Sequence, residues 1–190
     1  MKEKKYVAYT DGSFKPSSNR GGWASIIFDN ENNEIIKLHN GMIGTSNNRM
    51  EIMAVLETLK WFKQPSDLII ISDSMYVVNT INQGWIKKWF IEKDFSKSNL
   101  DLWFKILELL DYHSVTMKWT KGHSNNKLNN QVDELAQFAA TCLNLPKDEY
   151  ITYSKESGKS LVSEYNTRWP NRYNIGSKNG KIVFSFGQES

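Results

Sequence analysis

Four carboxylates occupy positions from which they could act on a substrate together. Asp11 and Asp73 each follow a run of β-branched and aromatic residues that predicts a strand. Glu51 lies in the first turns of a predicted helix, and Asp133 lies in the N-terminal part of another. Singly, an aspartate before a glycine, such as Asp11, is typical of an ordinary turn. The recurrence of acids in comparable positions favours a shared site.

Carboxylates brought together in this way predict a metal centre. Four crowded acids repel one another unless cations neutralise them. Hard oxygen ligands suit Mg²⁺ or Mn²⁺, which complete their coordination with waters and substrate phosphates. Two such ions, about 3.5–4 Å apart, can clamp the attacking water and the leaving oxygen of a phosphodiester.

The order of elements up to residue 150 predicts an α/β domain with a mixed sheet. Three strands with short links form an antiparallel meander, and the first strand is expected to stop at Asp11-Gly12. After it come a helix up to Pro65, a buried strand at Leu68–Ser72, further helices, a strand at 114–120 and a helix at 129–143. In this arrangement the four acids can converge at one end of the strands, where open α/β sheets place ligands.

Bulk properties narrow the class of protein. The 190 residues are 39% hydrophobic and 24% charged, with no apolar run long enough to span a membrane and no signal peptide. A single cysteine, Cys142, excludes an internal disulfide and predicts a cytoplasmic location. Residues 151–190 carry the whole net charge of +3.

Six segments carry a family resemblance: YTDGSF, NNRMEIMAVLETLK, ISDSMYVVNTI, LDLW, VTMKWTKGH and NNQVDELA. In this order and spacing, over about residues 5–145, the chain resembles ribonuclease H, type 1. The resemblance implies the ribonuclease H-like fold, an α/β fold in which three antiparallel strands and then two parallel strands form a five-stranded mixed sheet flanked by helices. It also implies a monomeric endonuclease that uses two Mg²⁺ ions, for which Mn²⁺ can substitute. This enzyme would cut the RNA strand of RNA–DNA hybrids and leave 3′-hydroxyl and 5′-phosphate ends.

The resemblance assigns catalytic residues by position. The four-carboxylate site falls on Asp11, Glu51, Asp73 and Asp133, and the histidine of a KGH loop falls on His123. An imidazole can exchange a proton near neutral pH, which suits a role in protonation or product release. The other histidines, His39 and His113, match no motif and are expected at the surface.

Further positions are predicted to contact the hybrid. By resemblance, Asn47 and Asn48 serve the RNA minor groove, Ser46 and Asn99 form part of a pocket for a DNA phosphate, and Asn129 lies near the scissile phosphate. The segment 85–98 resembles a basic protrusion that grips the DNA strand, although its tryptophans have the alternative of simply packing the protrusion. The complete predicted set is Gly12, Ser13, Ser46, Asn47, Asn48, Trp85, Lys87, Lys88, Trp89, Asn99 and Asn129. Gly44 stands where a basic residue is common in the family, which predicts weaker binding in the phosphate pocket.

Two rival classes are compatible with parts of the pattern. One is a hybrid-binding protein without catalysis, which the presence of all four acids disfavours. The other is an enzyme of the same broad fold, such as a junction resolvase, a strand transferase or a proofreading exonuclease. The NNRME and KGH segments favour ribonuclease H over this second class.

The last forty residues match nothing in the family pattern. We expect residues 1–150 to form the catalytic domain and residues 151–190 to form an extension. In the extension, a linker beginning near Ser154 leads to a β-hairpin with Asn179-Gly180 as its turn. Two roles remain open, a supplementary grip on nucleic acid and a structural cover for an apolar face or sheet edge.

Overall fold

The fold is described from a computed structural model that covers residues 5–122, 125–150, 154–168, 174–178 and 181–185. Seven strands and six helices occupy these residues. The strands are β1 Lys5–Lys15, β2 Arg20–Phe28, β3 Glu34–Ile43, β4 Asp67–Ser72, β5 Ser114–Trp119, β6 Asn174–Lys178 and β7 Lys181–Ser185. The helices are α1 Asn47–Trp61, α2 Met75–Asn82, α3 Trp85–Glu92, α4 Leu100–Tyr112, α5 Lys127–Ala139 and α6 Lys155–Arg168.

The main sheet has five strands in the order β3-β2-β1-β4-β5. β1 pairs antiparallel with β2, which pairs antiparallel with β3. On its other side β1 pairs in parallel with β4, and β4 pairs in parallel with β5. The predicted mixed sheet, with three antiparallel strands followed by two parallel ones, is therefore confirmed.

The prediction that the first strand stops at Asp11-Gly12 was wrong. β1 continues to Lys15, and its last antiparallel partner is Arg20. What ends near Asp11 is only the parallel pairing with β4, whose last register pair is Tyr9 with Ile71. A Cβ at Gly12 would collide with the backbone of Met50 and Glu51. The glycine is therefore required by the close approach of α1 rather than by a turn.

Hydrophobic residues fill both faces of the sheet. In β2 the side chains alternate, so that Trp23 and Ile27 join the core formed with α1, α2, α3 and α4, whereas Ala24, Ile26 and Phe28 face α5. The larger core contains the β4 side chains Leu68 and Ile70 and much of the inner faces of α1 and α4. The sheet is thus held from both sides, which fixes the edge where Asp11 and Asp73 lie.

The C-terminal extension differs from its prediction in one element. Residues from Lys155 onward form α6, although their composition was interpreted as a linker. A residue pattern of serine, lysine and glycine is compatible with a helix when tertiary contact supports it, as it does at the buried Gly158. β6 and β7 pair antiparallel, with Lys178 opposite Lys181, and the predicted turn residues Asn179 and Gly180 lie outside the described residues.

None of the helices in the described part of the chain has the length and apolar character needed to cross a membrane.

Candidate active site

Three of the predicted carboxylates meet at the edge of the sheet. Asp11 lies on β1 just beyond the last residue paired with β4, Asp73 directly follows β4, and Glu51 projects from α1. One carboxylate oxygen from each of the three lies within 4.8 Å of the others. Asp11 and Glu51 are 4% and 5% exposed, so two of the three acids are almost removed from solvent.

The position of Glu51 follows from how α1 begins. Ser46 caps the helix, its Oγ accepting a hydrogen bond from the backbone N–H of Arg49 at 3.3 Å. The absence of a side chain at Gly12 lets the backbone at Met50 and Glu51 lie directly against β1. The Glu51 carboxylate is thereby carried to Asp11 by two rigid elements.

The electrostatics of the cluster are unfavourable without a cation. Burial, followed by the charge of Asp73, raises the pKa of Asp11 to about 7, even though the Gly12 N–H donates to Asp11 Oδ1 at 2.8 Å. Burial and the charges of Asp11 and Asp73 raise the pKa of Glu51 well above its usual value. Among the described residues, Glu51 Oε2 is buried without a hydrogen-bond partner. A buried polar oxygen without a partner is costly, and a group of carboxylate oxygens at this spacing fits hard divalent cations.

The fourth predicted acid lies nearby but outside the compact group. Asp133 is half-buried on α5, and Gln137 Nε2 donates to its Oδ1 at 2.9 Å. Its charge contributes to the raised pKa of Asp11, so the two carboxylates act on each other electrostatically. The structure therefore brings three of the acids into mutual contact range and places the fourth on the helix that covers the other face of β1.

The loop after β5 reaches the same acids. A Cβ at Gly122 would lie 2.6 Å from Asp73 Oδ2, so the loop backbone lies against this carboxylate. Trp119 Nε1 also donates to the Asp73 carbonyl oxygen at 3.0 Å. His123, the predicted histidine of this loop, lies outside the described residues.

The polar residues predicted to contact the hybrid differ in their exposure to solvent. Asn47 and Asn48 are exposed at the start of α1, beside the half-buried Ser46. Asn99 and Asn129 are buried, at 7% and 1% exposure. Asn129 does not cap α5, because the Oδ1 of Asn126 accepts the hydrogen bonds there. Within the described part of the chain, the Oδ1 of Asn129 has no partner.

The predicted basic segment is helical where it carries its tryptophans. Trp85 and Trp89 lie one turn apart on α3 with ring centroids 6.5 Å apart. Trp85 is 39% exposed, Trp89 and Lys87 are half-buried, and Lys88 is exposed. Gly12 and Ser13, the remaining predicted contacts, are half-buried on β1 next to Asp11.

Sequence reasoning missed a buried ion-pair cluster on α1. Arg49 is 1% exposed and makes bidentate contacts, with Nη1 and Nη2 donating to Asp101 at 2.9 and 2.8 Å and with Nε and Nη2 donating to Asp148 at 2.7 and 2.9 Å. Its guanidinium carbon also lies 3.9 Å from the centroid of the Tyr150 ring. The signal was available, because Arg49 shares a helical phase with the buried Ile52, Met53 and Leu56.

The position predicted for one of the two other histidines was also wrong. His39 is exposed, as predicted, but His113 is 4% exposed. His113 Nε2 lies 3.1 Å from the Leu59 carbonyl oxygen, whereas Nδ1 has no partner among the residues that the structure describes. Burial lowers the pKa of His113. Its ring lies edge-on to the Phe62 ring, with the centroids 6.1 Å apart. The prediction of a surface position was wrong, because the ring lies against the Leu59 carbonyl oxygen and the rings of Phe62 and Tyr112.

Comparison with known proteins decides the family. The family model described as RNase H matches residues 3–141. This chain belongs to the ribonuclease H family. A ribonuclease H of Chlorobium phaeovibrioides is 42% identical over 142 residues, which cover 72% of this chain and 96% of that relative. A ribonuclease H of Caldicellulosiruptor saccharolyticus is 41% identical over 140 residues, covering 70% and 94%.

Solved structures support the fold of this ribonuclease H family member. LC9-RNase H1, described as a type 1 RNase H with the type 2 active-site motif, superimposes with a TM-score of 0.65 at 21% identity over 88% of this chain and 86% of that one. RNase H1 from the archaeon Halobacterium salinarum gives 0.56 at 17% identity over 71% and 96%. The family model ends at residue 141, so α6, β6 and β7 lie beyond the part of the chain that defines the family.

Proposed function

We propose that this protein hydrolyses the RNA strand of RNA–DNA hybrids by a two-metal-ion mechanism and leaves 3′-hydroxyl and 5′-phosphate ends. The observation that carries the proposal is the cluster of Asp11, Glu51 and Asp73, with carboxylate oxygens within 4.8 Å of one another. Membership of the ribonuclease H family supports the nuclease activity on hybrids. Mg²⁺ is the proposed cofactor, with Mn²⁺ able to replace it.

Asp11, Glu51, Asp73 and Asp133 are the residues that would hold the cations. Bound there, the cations would neutralise the phosphate and favour the ionised form of an attacking water. The protein supplies the arrangement: Asp11 is fixed by β1 and by the Gly12 N–H, and Glu51 is carried on α1. The unpartnered Glu51 Oε2 supports this assignment, because ligation would satisfy an oxygen that the protein leaves without a donor.

We assign recognition of the hybrid to the N-terminus of α1 and the N-terminus of α4. Asn47 and Asn48 are exposed and are proposed to reach the RNA minor groove, where 2′-hydroxyls distinguish RNA from DNA. Ser46 and Asn99, which stand at the N-caps of the two helices, are proposed to bind a DNA phosphate. Gly44 contributes no side chain to this pocket, so its affinity rests on hydroxyl, amide and backbone donors.

The remaining contacts are proposed around these two helix ends. Trp85, Lys87, Lys88 and Trp89 on α3 would line the path of the DNA strand, and Gly12, Ser13 and Asn129 would lie along the RNA strand near the acids. His123 is proposed to assist protonation or product release, which the approach of Gly122 to Asp73 supports. We further propose residues 1–150 as the catalytic domain and residues 151–190 as an extension, in a monomeric cytoplasmic protein.

The deciding experiment is cleavage of a labelled RNA strand annealed to DNA, with Mg²⁺ and with chelator. Asp11→Asn keeps the shape of the side chain and removes one ligand charge. Asp67→Asn is the matched control, because Asp67 begins β4 at the opposite end of the strand from Asp73. We expect metal-dependent cutting of the hybrid, at least about 10³-fold slower in Asp11→Asn and unchanged in Asp67→Asn.

Other results would favour the rival classes. Tight binding of the hybrid without cleavage would indicate a binding protein. Activity on a DNA duplex and none on the hybrid would indicate another enzyme of the same broad fold.

A further inference from the structure

The segment between α3 and α4, residues 93–99, is held in an unusual backbone conformation. We call it the α3–α4 connector. Lys93 at its start and Asn99 at its end both have positive φ angles, 55° and 63°, which non-glycine residues rarely adopt. Within it, the backbone N–H and the hydroxyl of Ser96 both donate to Asp94 Oδ1, at 3.2 and 2.6 Å. Such a backbone persists only where surrounding contacts fix it.

Helix α6 supplies one of these contacts. Gly158 is buried, whereas its helical neighbours Ser157 and Lys159 are exposed. A Cβ at Gly158 would overlap three carbons of the Phe95 ring, so this ring lies directly on the α6 backbone. On the other side, the half-buried Phe95 packs against the main hydrophobic core. The ring in the middle of the connector is therefore enclosed between the core and the C-terminal extension.

Tyr150 supplies a second contact, at the end of the connector. Its hydroxyl donates to Asn99 Oδ1 at 3.2 Å, and its ring lies on the guanidinium of the buried Arg49. Arg49 Nη1 approaches the same Asn99 oxygen at 3.5 Å. Because Oδ1 receives these donors, the NH₂ is the group with which Asn99 could donate to a substrate. A phosphate oxygen is an acceptor for such a donor.

We propose that Tyr150 and Gly158 are positioning residues that brace the α3–α4 connector. The connector then holds Asn99 and the lysines of α3, Lys87 and Lys88, in the positions from which they would bind the DNA strand of the hybrid. The inference rests on the proposed function for the identity of the substrate. The extension then contributes to affinity without touching nucleic acid, because preorganising a binding surface removes the cost of ordering it on association. This role differs from both the grip and the cover expected from the sequence.

The test uses the full chain with Gly158→Leu and Tyr150→Phe. Leucine has a higher helix propensity than glycine, so a loss in Gly158→Leu cannot come from weakening α6 itself. Ser160→Leu is the matched control, because Ser160 is exposed on the same helix. We measure amide hydrogen exchange in residues 93–99, KM and kcat for hybrid cleavage, and the melting temperature.

Bracing predicts a specific split between these quantities. In Gly158→Leu and Tyr150→Phe, the amide hydrogens of residues 93–99 should exchange faster than in the wild type. KM should rise on the order of three- to tenfold, and kcat should change by less than about twofold. Ser160→Leu should behave as wild type. In a Phe95→Ala background, Gly158→Leu should have no further effect, because the contact through which it acts is already gone.

The proposal is overturned if exchange and KM stay at wild-type values in both variants, or if kcat falls instead of KM rising. An effect of Gly158→Leu that persists in Phe95→Ala would also overturn it. If Gly158→Leu does not fold, Tyr150→Phe decides, since it removes only one hydroxyl. A wild-type protein that neither binds nor cuts the hybrid would overturn the proposed function, while hydrogen exchange would still show whether the connector is braced.

Discussion

Arg49 and Glu51 are two residues apart on α1 and enter opposite electrostatic environments. Arg49 is almost fully buried between the carboxylates of Asp101 and Asp148. Glu51 is buried almost as fully, but its neighbours Asp11 and Asp73 carry the same charge as it does. Both regions are buried and polar, and both are built on one helix.

The difference lies in what completes each cluster. Burial raises the pKa of Asp148, but hydrogen bonds from Arg49 and Thr45 outweigh it and hold that pKa below its usual value. At the acidic edge burial and like charges act in the same direction, and the pKa values of Asp11 and Glu51 rise. The Arg49 cluster pairs its charges within the protein, whereas the acidic cluster is one that cations could complete.

Arg49→Met should produce the largest change in stability. Among the described residues, Arg49 is the cation that pairs with the buried carboxylates of Asp101 and Asp148, so its removal should lower the free energy of unfolding by about 3–5 kcal/mol. Urea denaturation near pH 7 measures this, and Lys60→Met is the control. Lys60 forms an exposed pair with Glu57, and its loss should change stability by less than about 0.5 kcal/mol. Equal losses in the two variants would remove the distinction between a completed buried cluster and a surface pair.

Asp11→Asn should raise the free energy of unfolding in chelator, whereas Arg49→Met lowers it, because the Asp11 substitution relieves repulsion within the acidic cluster. The pKa of Asp11 is about 7 in the folded state and lies near 4 in the unfolded chain, so the folded protein binds the proton more tightly. The contribution of Asp11 to the stability of the metal-free protein is therefore greatest below pH 4 and is lost as the pH rises to about 7. Asp11→Asn escapes this loss and should be more stable at pH 8 by on the order of 2 kcal/mol.

Two controls sharpen this prediction. The difference between wild type and Asp11→Asn should shrink as the pH is lowered from 7 and should vanish below 4, where Asp11 is protonated in both states. Mg²⁺ should stabilise the wild type more than the variant at pH 8, because it binds the ionised cluster. A wild type that is more stable than Asp11→Asn in chelator at every pH would contradict the picture of an uncompensated cluster.

Asp133→Asn should have the smallest effect on stability. Asp133 is half-buried and lies outside the three-acid group, so solvent screens its repulsion with Asp11. We expect a gain of only a few tenths of a kcal/mol in chelator, together with a clear loss of Mg²⁺-dependent cleavage. Thermal denaturation and the hybrid assay, run on one preparation, measure the two effects. A stability gain as large as that of Asp11→Asn would place Asp133 inside the buried cluster.

Much of the fold was predictable from local patterns. Apolar residues at period two and period 3.6 gave the order of strands and helices, and short links predicted the antiparallel meander. The order of the quoted segments then predicted the four carboxylates, since residue type and spacing carry that information. α6 was missed because its sequence is weakly apolar, and a helix of this kind is stabilised by tertiary contact that no local pattern records.

The sequence alone identified four acids as candidates for one site, because their residue types and their places in the quoted segments can be read without the fold. Only the tertiary structure decided which groups lie next to each buried ionisable side chain. Asp148 is 99 residues from Arg49 along the chain, and Glu51 is 40 residues from Asp11, so neither pairing has a local signal. The same holds for Gly12 and Gly158, which look like a turn and a linker residue in the sequence. In the fold, the backbone at Gly12 lies against α1 and the backbone at Gly158 lies against the Phe95 ring. Only a residue without a side chain leaves space for these contacts.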